Sequence, residues 1–232
     1  MTVIDRFNFE DEGYDFPFYN KNPYIPKWGW VVLFVAFIVG TILAVISGNL
    51  PFIILGCIVF IVPVLYFLKW DYKVIFRMPS RKDLVLIVAL FVGYIVYGMV
   101  MEMILKQFGI VSPGTMGSEP VTIMTLVTSI FSLVGEEFFK FIPFIFFLRV
   151  IYKLSNNRRL AVIISVAIIM VMFACFHAYN PTMLIFALFV QGFGSIFEFY
   201  GYIKTKNILV PYLTHLLTDE IIFIIALLGI PL

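Results

Sequence analysis

Seven apolar stretches of roughly twenty residues follow one another along this 232-residue chain, at about 29–48, 50–68, 84–105, 121–150, 160–179, 182–203 and 208–231. A helix needs about 20 mostly apolar residues to cross the hydrocarbon core of a bilayer. In lipid, only a helix or a closed barrel pairs all of its own backbone polar groups. The breaks between stretches carry turn chemistry or charge: Ser47-Gly48-Asn49 with Pro51, the 69–83 segment, Ser112-Pro113-Gly114, Asn156-Asn157-Arg158-Arg159, and Asn180-Pro181. Composition agrees. Hydrophobic residues make up 62% and charged residues 13%, whereas a soluble domain carries about a quarter charged residues. The chain therefore predicts an all-α fold, a polytopic transmembrane helix bundle of about seven spans. No internal repeat or low-complexity linker divides it, so one domain is expected. Its parts are a tail over 1–28, amino-terminal transmembrane helices over 29–120, and a core over 121–232 that holds the informative polar residues.

Basic residues set the orientation of such a bundle. Arg6, Lys21 and Lys27 lie in the tail, and Lys69, Lys73, Arg77, Arg81 and Lys82 in the loop after the second span. Arg149, Lys153, Arg158 and Arg159 flank the break after the fourth span, and Lys204 and Lys206 the break after the sixth. Of the 16 lysines and arginines, only Lys106 and Lys140 fall elsewhere. This predicts a cytoplasmic amino terminus and a carboxy terminus outside. The aromatic and basic run from Tyr19 to Trp30 reads as an interfacial belt that anchors the first span. Cys57 and Cys175 read as small buried hydrophobes, and no C-x-x-C pair is present. No basic run interleaved with aromatics suggests nucleic-acid binding.

Against this background, ionisable groups inside the spans carry the functional signal, because each is costly at membrane depth unless paired or set in a wet cavity. Glu136 and Glu137 interrupt the fourth span, and Lys140 follows within one turn. Successive helical residues point about 100° apart, so the two carboxyls address adjacent sectors. One can face a cavity while the other meets a neighbouring helix. Lys140 stands i+4 from Glu136 and i+3 from Glu137 and can pair with either. The chain's two histidines both lie in the same half. His177 follows Phe173 by four residues, and His215 precedes Asp219 by four, close enough for the carboxylate to fix the imidazole tautomer. The plain reading of each group alone is structural: a packing pair, a hydrogen-bonded histidine, a self-satisfied pair that anchors a helix. Together they suggest a polar intramembrane cavity in the carboxy-terminal half.

The order Glu136-Glu137, Phe173-x-x-x-His177, His215-x-x-x-Asp219 resembles the CAAX protease and bacteriocin-processing (Abi-type) family of intramembrane enzymes. Gly192, Gly194, Tyr202, Thr205, Asn207, Pro211 and His215 also stand in the arrangement that leads into the family's last motif, so the resemblance covers about 121–225. It implies an intramembrane glutamate-type endopeptidase. Glu136 with His177 would activate water, His215 with Asp219 would stabilise the oxyanion, and Glu137, Lys140 and Phe173 would support them. The implied partners are the lipid bilayer and a membrane-associated peptide or protein substrate, and no metal or cofactor is implied. This chain departs from the family where an arginine is expected: Phe141 stands there, with Lys140 one position earlier. A lysine is a point charge and does not reproduce a bidentate arginine. The departure favours an alternative reading, a weakly active or inactive member that acts as scaffold or regulator of another membrane protein. A zinc protease using His177, His215 and a carboxylate ranks lower, since H-E-x-x-H is absent. A prokaryotic plasma membrane is the expected location.

One geometric condition attaches to the site. Glu136 falls near mid-span, His177 toward the outer end of its span and His215 in the inner half. They can meet only if spans are tilted, broken or shortened, and Pro181, Pro211 and the glycines of the sixth span mark where breaks are expected.

Overall fold

The computed structural model describes residues 5–20, 23–110, 121–178 and 180–229. All regular structure among these residues is helical. Helix α1 (Lys27–Thr41) continues into a π-helical turn (Ile42–Ile46), and α2 (Leu50–Phe67) returns antiparallel to it. There follow α3 (Arg81–Gln107), α4 (Ile123–Ser155), α5 (Arg158–Phe176), the short α6 (Pro181–Ala187) with a second π turn (Leu188–Gly192), α7 (Ile196–Thr205) and α8 (Leu209–Leu227). Six of these segments are long and apolar enough to cross a membrane, α6 through α7 counting as one, so the protein is a multi-pass membrane protein. The seventh expected span is α4, at 33 residues the longest helix. Its Glu136, Glu137 and Lys140 set it apart in composition from the other six.

Helix ends follow local chemistry. Ser80 and Asp83 form a reciprocal capping box that starts α3 three residues before its expected apolar run. Thr122 and Thr125 do the same for α4. Asn156, in the left-handed region at φ 50°, stops α4 at Ser155 rather than at 150. The fifth span ends early, at Phe176, with His177 as its cap.

Helix α4 is the axis of the bundle, packing on α1, α2, α5 and α8. From Glu137 to Ile142 every residue is buried, so this stretch is enclosed on all sides. Small residues let neighbours close on it. The π turn brings Ala44 so near α2 and α4 that a Cβ on Gly56 would lie 2.5 Å from the Ala44 nitrogen, and one on Gly135 2.6 Å from the Ala44 Cβ. Cys57 is buried, its thiol donating to the Phe131 carbonyl at 3.2 Å. Cys175 is exposed on the surface of α5, against expectation, because it falls one residue outside the face that Phe173 and Ala174 bury.

The four basic segments meet at one end of the bundle. Asn207 accepts from the Arg77 backbone amide at 3.1 Å and donates to the Arg77 carbonyl at 2.7 Å, and Arg77 also reaches the Thr205 carbonyl. Arg149 donates to the Phe18 carbonyl at 2.7 Å. The tail folds over this end, burying Phe16, Phe18, Tyr19 and Ile25. Of the expected belt, Tyr24 and Trp28 stay exposed, while Tyr19 turns inward onto Tyr152. Glu10 is the tail's fastening. Arg158 donates to both its oxygens at 2.6 Å, and Lys206 donates to Oε2 at 2.6 Å. Burial raises the Glu10 carboxyl, but these hydrogen bonds and charges outweigh it and hold it at about 2. Burial likewise lowers the Lys206 ammonium to about 8 against the pull of Glu10.

Candidate active site

Beside the Gly135–Ala44 contact, Glu136 and Glu137 leave α4 in different directions, as their 100° offset dictates. The Glu137 side chain is 6% exposed and faces α7 and α8, whereas that of Glu136 is 18% exposed. Lys140 Nζ lies 2.5 Å from Glu137 Oε1 and donates to Glu198 on α7. The ammonium also lies over the Phe173 ring, 4.9 Å from its centre. Glu136 is therefore not the lysine's partner. Glu198 is the lysine's second partner.

His215 on α8 joins this cluster. Its Nδ1–H donates to Glu137 at 3.0 Å, with Glu198 Oε1 at 3.8 Å. Glu137, not Asp219, thus holds the tautomer-fixing position. The other ring nitrogen, Nε2, looks the opposite way, 4.0 Å from Glu136 Oε2 and 3.7 Å from Asp219 Oδ2. Helix α8 can bring the ring here because it starts at Leu209, behind the Asn207 contacts, with Thr214 and Thr218 buried on either side of His215.

His177 is held by its own helix rather than by another member of the cluster. Among the described residues, the ion-pair partner of Glu136 is His215. His177 Nδ1 lies 2.8 Å from the Phe173 carbonyl. A carbonyl only accepts, so the proton sits on Nδ1, and in the neutral ring Nε2 keeps its lone pair. The Phe173 ring stands between the two histidines, with centroids 4.4 Å from His177 and 6.5 Å from His215. The convergence that straight spans would forbid comes from the breaks: α5 stops at His177, and the sixth span is interrupted by the π turn ending at Gly192. That turn lies against α5, where a Cβ on Gly192 would be 2.8 Å from the Met170 carbonyl.

Two spaces adjoin the cluster. A void of about 20 Å³ lies on its inner side between Glu137, Lys140, Glu198, Phe141, Phe144 and Tyr202, enough for one water. On the other side Glu136 and Asp219 border an open cavity of about 390 Å³. The position expected for arginine, Phe141, is buried edge-on against Tyr202 at 5.6 Å and Phe138 at 5.8 Å. An arginine there would have had to displace this aromatic packing, and Lys140 supplies the cation one residue earlier.

Glu137, Glu198 and His215 place one ligand atom each within 4.8 Å of one another, which is metal-ligand spacing. This trio does not include His177. The Lys140 ammonium already lies against both carboxylates, so a divalent ion would have to displace it.

Residues 118–221 match the protein-family model described as type II CAAX prenyl endopeptidase Rce1-like. The match spans the Glu136-Glu137 pair, both histidines and Asp219, and it agrees with the CAAX-family resemblance carried by those motifs. No curated protein and no solved structure matches the chain.

Proposed function

We propose that this protein is an intramembrane endopeptidase in which Glu136 deprotonates the attacking water. The family match to a CAAX-type endopeptidase supports protease activity in a membrane setting. The observation that carries the assignment of the base is the division of labour among the carboxylates. Lys140 is engaged by Glu137 and Glu198, while Glu136 is left on the open cavity with His215 Nε2 4.0 Å away. A carboxylate bonded directly to an ammonium is a poor base, whereas Glu136, 4.0 Å from His215 Nε2 and so beyond hydrogen-bond range of it, keeps its oxygens available on the cavity.

The remaining roles follow from which atoms point where. With Nδ1–H bound to the Glu137 carboxylate, a charged His215 directs Nε2–H toward the Glu136 and Asp219 side, where an oxyanion would form. Glu137, Lys140 and Glu198 are positioning residues that fix the ring. Asp219 would repel an oxyanion when ionised, so in this reading it acts protonated, or only through His215. His177 offers its Nε2 lone pair to a water that approaches Glu136 from the Phe173 side. Substrates in this reading are membrane-associated peptides or proteins.

The test is cleavage of a membrane-tethered peptide library by protein reconstituted in liposomes, with products read by mass spectrometry. Glu136→Gln and His177→Ala should remain folded and lose Glu136-dependent products. Products or a cellular phenotype that persist in both folded variants overturn the hydrolase and leave the scaffold reading, which the Lys140–Phe141 departure favours.

A further inference from the structure

The two sides of the cluster are closed to very different degrees. Toward the basic end the tail seals it. Phe16 is 1% exposed and packs on Phe144 at 5.5 Å and Tyr202 at 5.7 Å, two residues that wall the small inner void. The same ring carries two cations on its faces, Lys206 at 4.4 Å and Arg158 at 4.8 Å, and Glu10 pins both. No comparable plug covers the other side among the described residues. There the 390 Å³ cavity runs along the first half of α4, past Thr125, Thr128, Ser129 and Ser132, to Glu136 and Asp219. Glu136 lies 13 residues into α4, so this path is about 20 Å long at 1.5 Å per residue.

The lining says what suits it. The Ser129 hydroxyl is used within the chain on Leu126 and Glu220 and that of Ser132 on the Ser129 carbonyl, so these oxygens offer lone pairs to a backbone N–H, while the Thr128 hydroxyl can donate to a C=O of an extended polypeptide. Leu133 and Phe223 supply apolar surface for its side chains. Among the described residues no lysine or arginine lines the cavity, and its inner end carries two carboxyls. A lipid phosphate or a free terminal carboxylate therefore meets no counter-charge there.

We propose that the cluster is reached from the end opposite the basic segments, along this hydroxyl-lined cavity, by an internal polypeptide segment that is neutral or basic, while the amino-terminal tail closes the other end. With the basic segments in the cytoplasm, the cavity opens to the exterior. The identity of the occupant as a substrate rests on the hydrolase reading; the route does not.

The experiment uses the full chain with Cys57→Ala and Cys175→Ala, and single cysteines at Thr128, Ser132 and, as reference for the basic end, Met78, which is 93% exposed. Sealed vesicles are treated with membrane-impermeant methanethiosulfonates carrying either a trimethylammonium or a sulfonate group. Thr128→Cys and Ser132→Cys should react from the side opposite Met78→Cys, and Ser132→Cys at least about tenfold faster with the cationic reagent, as a focused negative field enforces. Labelling from the Met78 side, or from neither side in folded protein, overturns the route. Equal rates, or a faster anionic reagent, overturn the charge preference of the occupant. Labelling as expected in a protein with no Glu136-dependent hydrolysis keeps the route and discards the hydrolase; the converse pair of results does the reverse.

Discussion

Two buried ionic clusters sit in this bundle, and they are built on opposite plans. At the basic end, Glu10 and Asp15 face Arg158 and Lys206, with every Glu10 oxygen bonded and the ion pairs at 2.6–2.9 Å. In the α4–α7–α8 cluster, Glu136, Glu137, Glu198 and Asp219 face only Lys140 and His215. The first is balanced and closed, so its charges do nothing but hold. The second has more carboxylates than cations, and Glu136 and Asp219, which share the single His215 Nε2 at 4.0 and 3.7 Å, are the ones on the cavity. Surplus charge that borders a cavity is available for proton transfer, whereas a fully matched cluster is a fastener.

The comparison can be broken most directly at its surplus. Glu136→Gln should lower the rate of peptide cleavage by about 10²–10⁴-fold, the usual range for loss of a positioned base, with an unchanged melting temperature in detergent. A large drop in melting temperature would place Glu136 among the fasteners. At the matched cluster the signature should invert. Arg158→Ala removes both guanidinium bonds to Glu10, leaving it Lys206 and the Phe7 amide, and should cost about 1–3 kcal/mol, read as a loss of thermal stability and as tryptic release of the tail. The cut tail with full stability would show that the pair holds nothing. Lys140→Met tests whether the second cluster shares this fastening element. It leaves Glu137 and Glu198 unneutralised and should destabilise to a similar degree, but it should also alter the pH profile of cleavage, which Arg158→Ala should leave in place.

A smaller effect sharpens the contrast through pH. Glu10 has its folded pKa lowered from 4.5 to about 2. A lowered carboxyl contributes stability that is fully present above its unfolded value and lost as pH falls through the folded one. The gap in melting temperature between the native protein and Glu10→Gln should thus be constant above about pH 4.5 and shrink toward pH 2. A gap that grows on acidification contradicts the cluster's assignment. The smallest expected effect is packing: Gly135→Ala pushes a Cβ onto Ala44 and should cost about 1–3 kcal/mol, with cleavage retained once the protein is folded.

Much of this was legible in the chain because apolar length and capping chemistry act locally. The seven expected stretches emerge as helical segments within a few residues, six of them long and apolar enough to cross a membrane, and Ser80, Thr122 and Asn156 account for differences in their ends. The preference of Lys140 for Glu137 over Glu136 was an open choice on a single helix. The deciding partner, Glu198, comes from 58 residues away and pulls the ammonium to the α7 side. The same limit hid Glu137 as the holder of His215 Nδ1: i,i+4 spacing nominates Asp219, but a cross-helix contact is shorter. The tail was least legible. Only its aromatic and basic run from Tyr19 to Trp30 carried a reading, as an interfacial belt; Glu10 carried none, because Arg158 and Lys206, which draw it inward, are remote in sequence and look like ordinary inner-face cations.

Lys140 has a consequence beyond the cluster it completes. Where three ligand-type side chains converge closely enough for a divalent ion, the neutralising charge here is bonded covalently to α4. It is delivered at translation, in a stoichiometry of one, and no chelator can strip it.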